Sequence, residues 1–286
     1  MMGSSLKDLV TVYIITLNRI EFLKRSIDSV LNQSYENIEL IVVDNGSSDG
    51  TQYFLKQLEN DESRLSCIYL PNNMGACFAR NRAINLAAGI YITGMDDDDY
   101  FAPMRVESLL STYKSQQCSF VYSDDGYVQS GKQLKSTNKP DKVDLKLLKF
   151  QNLVGNQVLS KTSCFKKVGG FDESLRAAQD YDMWLRMVIE FGTAVKSDGI
   201  TQYLESGDHS RISTSTNKFK GYMQFYQKHK SIFNRAQKKH QLLNIKYACR
   251  SVISKRVFLT LFDRYFIKRK LKVFITRVIK RGSYEY

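Results

Sequence analysis

The sequence has few of the features that mark secreted, zinc-binding or membrane-spanning proteins. Its five cysteines are scattered without a Cys-x-x-Cys pair, which argues against both a disulfide framework and a zinc knuckle. No run of eighteen or more apolar residues could cross a bilayer, and no N-terminal apolar segment resembles a signal peptide. We therefore expect a cytoplasmic protein in a reducing compartment.

Acidic residues are almost missing from the C-terminal quarter of the chain. Residues 217–286 contain nineteen Lys and Arg but only Asp263 and Glu285, a net charge of +17, which leaves −4 for residues 1–216. This shift predicts a catalytic domain over 1–216 and a basic helical region over 217–286. From Ile245 onward, apolar residues recur at helical spacing with Lys and Arg on the opposite face.

Three interpretations of this basic region compete. It could pack on its own domain, lie on an anionic membrane surface, or bind nucleic acid. No zinc-finger, RRM or KH pattern supports nucleic-acid binding. We favour peripheral attachment to the inner face of the cell membrane, aided by partial packing against the domain.

Short β-branched runs alternate with segments of helical spacing in the first hundred residues. The runs "VTVYII", "IELIVV", "LSCIYL" and "GIYIT" are typical of strands. Asn18 with Glu21 three residues later resembles a capping box for the first helix. The alternation predicts an α/β fold, a mostly parallel sheet flanked by helices. Asp44 and the run Asp96 to Asp99 each follow a strand directly, so we expect them at the ligand-binding edge of that sheet.

The run of four carboxylates in "TGMDDDDYF" is the most unusual local feature. Adjacent carboxylates repel one another unless a cation lies among them. Mg²⁺ and Mn²⁺ prefer oxygen ligands and are commonly held by one or two carboxylates plus substrate phosphates. A solvated acidic turn is the alternative for the run, as a turn residue in "DNG" is for Asp44. The position after a strand favours a site for a metal and a diphosphate.

Six motifs occur in an order that resembles the inverting glycosyltransferases of family 2, which have the nucleotide-sugar-binding GT-A fold. They are "VTVYIITLNR", "IVVDNGSSDGT", "NNMGACFARN", "GMDDDDY", "VGGFDE" and "QDYDMWLR". The resemblance covers the chain from about Val10 to His209. It departs at Ile15, where a proline is usual, at Leu17, where a tyrosine is usual, and at Gln179, where a glutamate is usual.

The resemblance implies a role for each matching residue. It places Asp44 at the uracil of a UDP-sugar donor and Asp96 at the ribose. It implies that Asp98 binds Mn²⁺ or Mg²⁺ and that Asp99 supports the site. It also implies that His209 supplies a late imidazole to the metal or the phosphates, although a structural role for His209 is equally open. The other residues implied near the nucleotide and its sugar are Thr16, Asn18, Arg19, Arg80, Asn81 and Asp97.

The reaction also needs a base, and the resemblance implies Asp180, at the start of a predicted helix. The helix dipole would lower the pKa of Asp180 and burial beside Trp184 would raise it, so the sequence leaves the direction open. A helix residue without a catalytic role is the alternative for Asp180. Asp182 is the second choice as base, and Trp184 is assigned to the acceptor side.

Together these patterns predict a metal-dependent inverting glycosyltransferase. It would move a hexose or N-acetylhexosamine from a UDP-sugar to a hydroxyl of a polyprenyl-diphosphate-linked saccharide in bacterial surface-polysaccharide synthesis. A nucleotidyltransferase or another metal-dependent phosphate-handling α/β enzyme is the alternative, and a basic nucleic-acid-binding protein is less favoured. The sugar, the linkage and the acceptor depend on single hydroxyl contacts in loops, which the sequence does not specify.

Overall fold

A computed structural model describes residues 8–129, 131–206 and 215–248. In these ranges the chain forms one central sheet with helices on both faces. The strands are β1 (Val10–Thr16), β2 (Ile38–Asp44), β3 (Leu65–Tyr69), β4 (Tyr91–Asp96), β5 (Tyr100–Phe101), β6 (Val121–Gln129), β7 (Lys132–Ser136), β8 (Lys142–Val143), β9 (Leu159–Lys161) and β10 (Ala194–Glu205). The helices are α1 (Ile20–Leu31), α2 (Thr51–Asp61), α3 (Ala76–Leu86), α4 (Arg105–Ser115), α5 (Leu145–Leu148), α6 (Thr162–Lys167), α7 (Gln179–Phe191), α8 (Ser215–His229) and α9 (Arg235–Ala248).

The sheet contains two parallel blocks joined by an antiparallel strand. Its order is β3-β2-β1-β4-β9-β6-β10-β5, with β7 paired to β6 and β8 to β10. Strands β3, β2, β1 and β4 are parallel, as are β6 and β10. Strand β9 runs antiparallel between β4 and β6. The predicted α/β class with a mostly parallel sheet is confirmed.

The register of the parallel block brings the predicted site residues to one edge. Thr16 at the end of β1 is aligned with Asp44 at the end of β2. On the other side of β1, Ile15 is aligned with Asp96 at the end of β4. The carboxyl ends of the strands therefore coincide, as the sequence predicts.

Alternating side chains of the strands supply two hydrophobic cores. Val12 and Ile14 of β1 pack with residues of α1, α2 and α4 on one face of the sheet. Tyr13 and Ile15 face the other way, toward α3, α6, α7 and α8. This period of two explains why the strands are apolar throughout, since both faces of the sheet are covered.

The start of helix α1 differs from the prediction. Asn18 does not cap the helix, because its backbone has a φ of 54° and its Oδ1 accepts a hydrogen bond of 2.7 Å from the Ser48 amide. The Ile20 amide instead donates to Asp49 Oδ2 at 3.2 Å. The predicted capping box is therefore wrong: the acceptor at the start of α1 comes from the loop after β2.

The first part of the basic C-terminal region packs against the sheet domain. Phe225 of α8 stacks on Tyr181 of α7 with ring centroids 4.2 Å apart, and Phe225 is fully buried. From α9, Gln241 Nε2 donates to the Tyr181 hydroxyl at 2.7 Å. Helix α8 and helix α9 as far as Asn244 therefore pack on the domain. The amphipathic stripe beyond 248 lies outside the described residues, and the boundary at 216 stays a prediction.

Candidate active site

Three loops that follow β1, β2 and β3 are joined at the carboxyl edge of the sheet. The Asn18 amide donates to Ser47 Oγ at 2.9 Å, linking the first loop to the second. Asn45 links the second to the third, because its Nδ2 donates to Asn73 Oδ1 at 3.0 Å and its Oδ1 accepts from the Met74 amide at 2.9 Å. These contacts form a continuous polar rim.

Asp44 lies at the base of this rim and is fully buried. Its carboxylate accepts hydrogen bonds of 3.2 Å from the Ser47 amide and 2.8 Å from Gln52 Nε2. The Gly/Ser turn that follows therefore folds back over the carboxylate. Asp44 is held rigidly at the edge where the sequence predicts a nucleotide.

The four consecutive aspartates divide into two pairs, because Asp97 and Asp98 share Arg19 whereas Asp96 and Asp99 share the Asn156 amide. Arg19 Nη1 donates to Asp97 Oδ1 at 3.0 Å and to Asp98 Oδ2 at 3.1 Å. Thr16 Oγ1 donates to Asp97 Oδ2 at 2.8 Å. Burial raises the pKa of Asp97 to about 6, although Arg19 and Thr16 oppose that rise. Thr16, Arg19, Asp97 and Asp98 thus form one cluster.

Asp96 lies in a second cluster under the rim. Its Oδ1 accepts a 3.0 Å hydrogen bond from Arg80 Nη2, and its Oδ2 accepts one of 3.0 Å from Asn156 Nδ2. Gln157 Nε2 approaches Asp96 Oδ1 at 3.4 Å. Arg80 is buried, and its Nη1 also reaches Gln179 Oε1 at 3.2 Å. Arg80 therefore connects the acidic run to the start of α7.

The backbone of the acidic run rests on helix α1. Arg25 Nη2 donates to the Asp98 carbonyl at 2.6 Å, and Arg25 Nη1 pairs with Glu205 at 2.9 Å. Ser26 Oγ contacts the carbonyls of Asp97 and Asp99 at 2.8 and 2.5 Å. These contacts fix the turn that presents the carboxylates.

Asp99 points away from the rim into the protein. Its carboxylate accepts from Gln202 Nε2 at 3.2 Å and from the Glu205 amide at 3.3 Å. Burial raises the pKa of Asp99 well above its ordinary value, and the charges of Asp96 and Asp98 raise it further. The environment of Asp99 fits the supporting role predicted for it.

Asp180 occupies the first turn of α7 and is exceptional among the described carboxylates. Its Oδ1 is buried and has no hydrogen-bond partner in the described residues. Burial raises the pKa of Asp180 to about 7; the charge of Arg80 lowers it and that of Asp96 raises it. The sequence leaves this direction open, and in the structure burial prevails over the charge of Arg80.

The backbone just before Asp180 is strained. Ala178 has a φ of 59°, and among the described non-glycine residues only Asn18 shares a positive φ. Both lie beside the proposed site. Left-handed backbone at non-glycine residues costs about 1–3 kcal/mol and concentrates at functional sites.

The environment of Asp182 does not fit the role of second-choice base that the sequence suggests for it. Asp182 is fully buried and paired with Arg186, Lys228 and His229. Burial alone would raise the pKa of Asp182, but the hydrogen bond from His229 and the charges of Arg186 and Lys228 lower it to about 2. A carboxylate so enclosed is unsuited to serve as the second-choice base.

Trp184 does not fit the acceptor-side role predicted for it, and Asn81 is bonded to a neighbouring loop. Trp184 has no exposed surface, packs against Phe120 and donates from Nε1 to the Gly155 carbonyl at 3.1 Å, so it cannot touch an acceptor. Asn81 holds the loop before α7, because its Nδ2 donates to the Phe171 carbonyl and its Oδ1 accepts from the Phe171 amide, both at 2.8 Å. Both polar atoms of the Asn81 amide thus have protein partners, and its role near the nucleotide stays a prediction.

The donor atoms at the edge of the sheet fit a divalent cation only in part. Asp98 keeps 16% of its side chain exposed and offers hard oxygen donors. Within 8–129, 131–206 and 215–248, no group of three or more His, Cys, Asp or Glu side chains could hold a metal. An ion there would need phosphate oxygens to complete its coordination. The predicted ligand His209 lies outside the described residues.

Sequence reasoning missed Asn156 and Gln157, which contact Asp96, and Arg25, which holds Asp98. Asn156 and Gln157 stand in the polar stretch "QNLVGNQV", which has no periodicity to reveal them. The one available signal is that these two amide residues stand together between apolar residues, which indicates a buried polar contact but does not identify its partner. Arg25 stands in a helical pattern, where an arginine is ordinarily a solvated residue.

Comparisons with known proteins agree with this geometry. The sequence model described as Glycosyl transferase family 2 matches residues 11–166. A protein of Escherichia coli (strain K12) that carries the name of a colanic acid biosynthesis glycosyl transferase, WcaA, is 38% identical over 262 residues, 89% of this chain and 93% of that protein. A protein of Bacillus subtilis (strain 168) named for teichuronic acid biosynthesis, the glycosyltransferase TuaG, is 29% identical over 75% of this chain and 84% of its own.

A solved structure extends the likeness to the fold. The crystal structure of S. aureus TarS 1-349 in complex with UDP-GlcNAc superposes with a TM-score of 0.63 at 17% identity, covering 87% of this chain and 82% of that one. The predicted GT-A fold is confirmed. The match to a glycosyltransferase family also favours the first functional hypothesis over a nucleotidyltransferase or a nucleic-acid-binding protein.

Proposed function

This chain belongs to glycosyl transferase family 2, and from that premise we propose that it transfers a hexose or N-acetylhexosamine from a UDP-sugar with inversion at the anomeric carbon. The observation that carries the proposal is the Asp180 carboxylate, whose Oδ1 is buried and has no hydrogen-bond partner in the described residues, and whose pKa is influenced by the charges of Arg80 and Asp96. A raised pKa suits a base that works near neutral pH.

On the donor side, we assign Asp44 to the uracil and Asp96 to the ribose. Thr16, Asn18, Arg19 and Asp97 complete the rim around the nucleotide. The fixed position of Asp44 and the three donors around Asp96 support this assignment, because acceptors that are already oriented lose little entropy when a ligand binds. Arg80 orients Asp96 from below.

We assign Asp98 to Mn²⁺ or Mg²⁺, with His209 as a further ligand. A bound ion would supply Lewis-acid stabilisation to the diphosphate leaving group. The exposed part of the Asp98 side chain supports this assignment, while Arg19 restrains the carboxylate at 3.1 Å. Arg19 thus balances the acidic run before any ligand arrives.

The chemical step then follows from the position of the base. An acceptor hydroxyl attacks the anomeric carbon on the face opposite the diphosphate, and Asp180 takes the hydroxyl proton. The new glycosidic bond forms as the bond to UDP breaks, which inverts the configuration. Buried Arg80 stays charged throughout, because Asp96 and Asp180 raise its pKa even though burial lowers it.

Two observations support the proposed acceptor: the name of the Escherichia coli relative and the positive charge of the C-terminal region. The name of the Escherichia coli relative refers to colanic acid, which supports a polyprenyl-diphosphate-linked saccharide acceptor in surface-polysaccharide synthesis. No helix among the described residues is long and apolar enough to span a bilayer. We propose instead that the basic C-terminal region lies on the anionic inner face of the cell membrane.

A panel of UDP-sugars with Mn²⁺ and a polyprenyl-diphosphate-linked saccharide tests the reaction by release of UDP. Asp180→Asn should lower turnover by at least about 10³-fold while UDP affinity stays within about twofold. Asp198→Asn, at an exposed aspartate of β10, is the matched control and should behave as wild type. Unchanged turnover in Asp180→Asn would overturn the base assignment.

The metal assignment has its own test. Asp98→Ala should abolish the dependence of UDP binding on Mn²⁺, measured by calorimetry with and without a chelator, whereas Asp198→Ala should not. Retention of full Mn²⁺-dependent binding in Asp98→Ala would exclude this carboxylate as a ligand.

Flotation with liposomes tests the membrane contact. The full chain should float with anionic vesicles more than with neutral ones, and the difference should fade in high salt. Equal binding to both vesicle types, or none, would contradict an electrostatic attachment.

A further inference from the structure

Helix α8 contacts the segment that leads into Asp180 through one of its faces. Gly221, Gln224, Phe225, Lys228 and His229 are spaced by three and four residues, which places them on the same side of the helix. Every one of them touches a residue between Asp172 and Asp182. The C-terminal region thus reaches the segment that carries Asp180.

The polar contacts converge on Asp182, two residues after Asp180. Lys228 Nζ lies 2.8 Å from Asp182 Oδ1 and 2.6 Å from Asp172 Oδ2. His229 Nε2 donates to the same Asp182 Oδ1 at 2.7 Å. The other oxygen of Asp182 pairs with Arg186 Nη2 at 2.7 Å. Because Asp182 is fully buried, these donors are its only compensation among the described residues.

The remaining contacts hold the loop before α7. Gln224 accepts from the Arg176 amide at 3.1 Å through Oε1 and donates to the Ser174 carbonyl at 2.9 Å through Nε2. A Cβ atom placed on Gly221 would lie 2.0 Å from the Ala177 nitrogen, so the two backbones are in direct contact. Residues 174–177 are therefore fixed by α8.

The first turn of α7 has no side-chain cap and depends on contacts from other parts of the chain, such as that of Arg80 with Gln179. Its N-cap is Ala178, and no side chain caps the helix. A helix whose N-terminal amides have no capping side chain is less stable at that end than one capped by Ser or Asp. With Oδ1 of Asp180 unpaired among the described residues, the orientation of that carboxylate follows from the backbone of the turn. What holds the turn also aims Asp180.

We propose that Lys228 and His229 are positioning residues that orient Asp180 by anchoring Asp182, an inference that rests on the proposed role of Asp180 as the base. The basic C-terminal region is then part of the catalytic apparatus. A partner or surface that displaced α8 would disorganise the base without touching the donor site.

Hydrogen exchange tests the anchor without any substrate. The Asp182 amide donates to the Ala178 carbonyl at 2.9 Å, so its exchange reports opening of the first turn. Lys228→Met and His229→Phe should speed exchange of amides 178–183 by about tenfold or more, well below the melting temperature. Lys220→Met, at an exposed lysine of the same helix, is the control and should leave that exchange unchanged.

Kinetics provide the second readout. With the donor and acceptor that turn over in the panel above, both variants should lower kcat by about 10- to 100-fold and leave UDP affinity and donor KM within about twofold. Lys228→Arg keeps the charge and should restore most of kcat. Unchanged exchange of 178–183, or unchanged kcat with faster exchange, would overturn the proposal.

The two proposals fail in different ways. If Asp180→Asn retained turnover, the base assignment would fail. Faster exchange of amides 178–183 and a lower kcat in Lys228→Met would still show that Lys228 anchors Asp182. If Asp180→Asn lost turnover and Lys228→Met kept it, only the anchor would be wrong.

Discussion

At the scale of single residues, three aspartates show how environment sets chemistry. Asp180 is partly exposed, but its Oδ1 is buried and unpaired in the described residues, and burial raises the pKa of Asp180 to about 7. Asp97 is buried, but Arg19 and Thr16 bond to it, and its pKa is raised only to about 6. Asp182 is buried among three cationic or donor side chains, and its pKa falls to about 2. Burial raises the pKa of an aspartate toward neutrality only where nearby hydrogen-bond donors and positive charges do not offset the cost of burying the carboxylate.

The pH dependence of the reaction follows from Asp180. Its carboxyl is protonated below about pH 7 and cannot accept a proton there. We expect kcat/KM to rise about tenfold per pH unit below this value and to level off above it. Initial rates between pH 5 and pH 9, with a buffer of constant ionic strength, check this. A flat profile across pH 7 would contradict it.

The contribution of Asp180 to the free energy of unfolding should fall as pH rises, whereas kcat/KM should increase. Because the folded protein binds this proton more tightly than the unfolded chain, the stability gained from protonation is complete below about pH 4 and lost as pH rises through about 7. At pH 8, Asp180→Asn should therefore raise the free energy of unfolding by about 1–3 kcal/mol, less than the roughly 4 kcal/mol that the full shift represents. Urea unfolding at pH 8 and pH 4 should show that the gain shrinks in acid.

At the scale of secondary-structure elements, α8 pairs apolar and polar contacts on one face. The stacked pair of Phe225 and Tyr181 lies beside the buried ion pairs of Asp182. Aromatic stacking contributes about 0.5–1.5 kcal/mol beyond area burial. The close approach depends on the absence of a side chain at Gly221.

Gly221→Ala should have two opposing effects on the free energy of unfolding, one from helix propensity and one from packing. Helix propensity alone would stabilise α8 by about 1 kcal/mol. The added methyl would instead meet the Ala177 backbone at 2.0 Å, and such overpacking typically costs about 1–3 kcal/mol. We therefore expect a net loss of stability and a lower kcat, measured by urea unfolding and by UDP release. Lys220→Ala on the exposed side of α8 should be neutral or slightly stabilising; a stabilised Gly221→Ala would show that α8 can move away from Ala177.

At the scale of the whole molecule, charge and packing divide the chain at different places. The composition changes near residue 216, yet contacts with the sheet domain continue through α8 and into α9 as far as Asn244. Chains ending at 216 and at 248 distinguish the two. The shorter chain loses the buried Phe225 and the partners of Asp182, so it should melt lower or aggregate, while the longer keeps all described contacts. Equal melting temperatures by calorimetry would mean that α8 and α9 add no stability.

Much of the site could be predicted because it is local in sequence. Asp44 and Asp96 directly follow strands, so the register of a parallel sheet suffices to place them at one edge. Asn156, Gln157 and Arg25 contact the acidic run across long sequence separations, which no local pattern encodes. The roles of Trp184 and Asn81 are predicted from motifs, and the burial of Trp184 and the loop contacts of Asn81 depend on neighbours that those motifs do not contain.

The sequence alone determined the α/β class, the edge at which the carboxylates collect and the family of the chain, because strand periodicity and ordered motifs are properties of neighbouring residues. Only the tertiary structure decided which aspartate is left uncompensated, since Asp180 and Asp182 stand two residues apart on one helix and differ in what other elements bring to them. The ionisation of a buried carboxylate is set by the groups packed around it, and those groups are chosen by the fold.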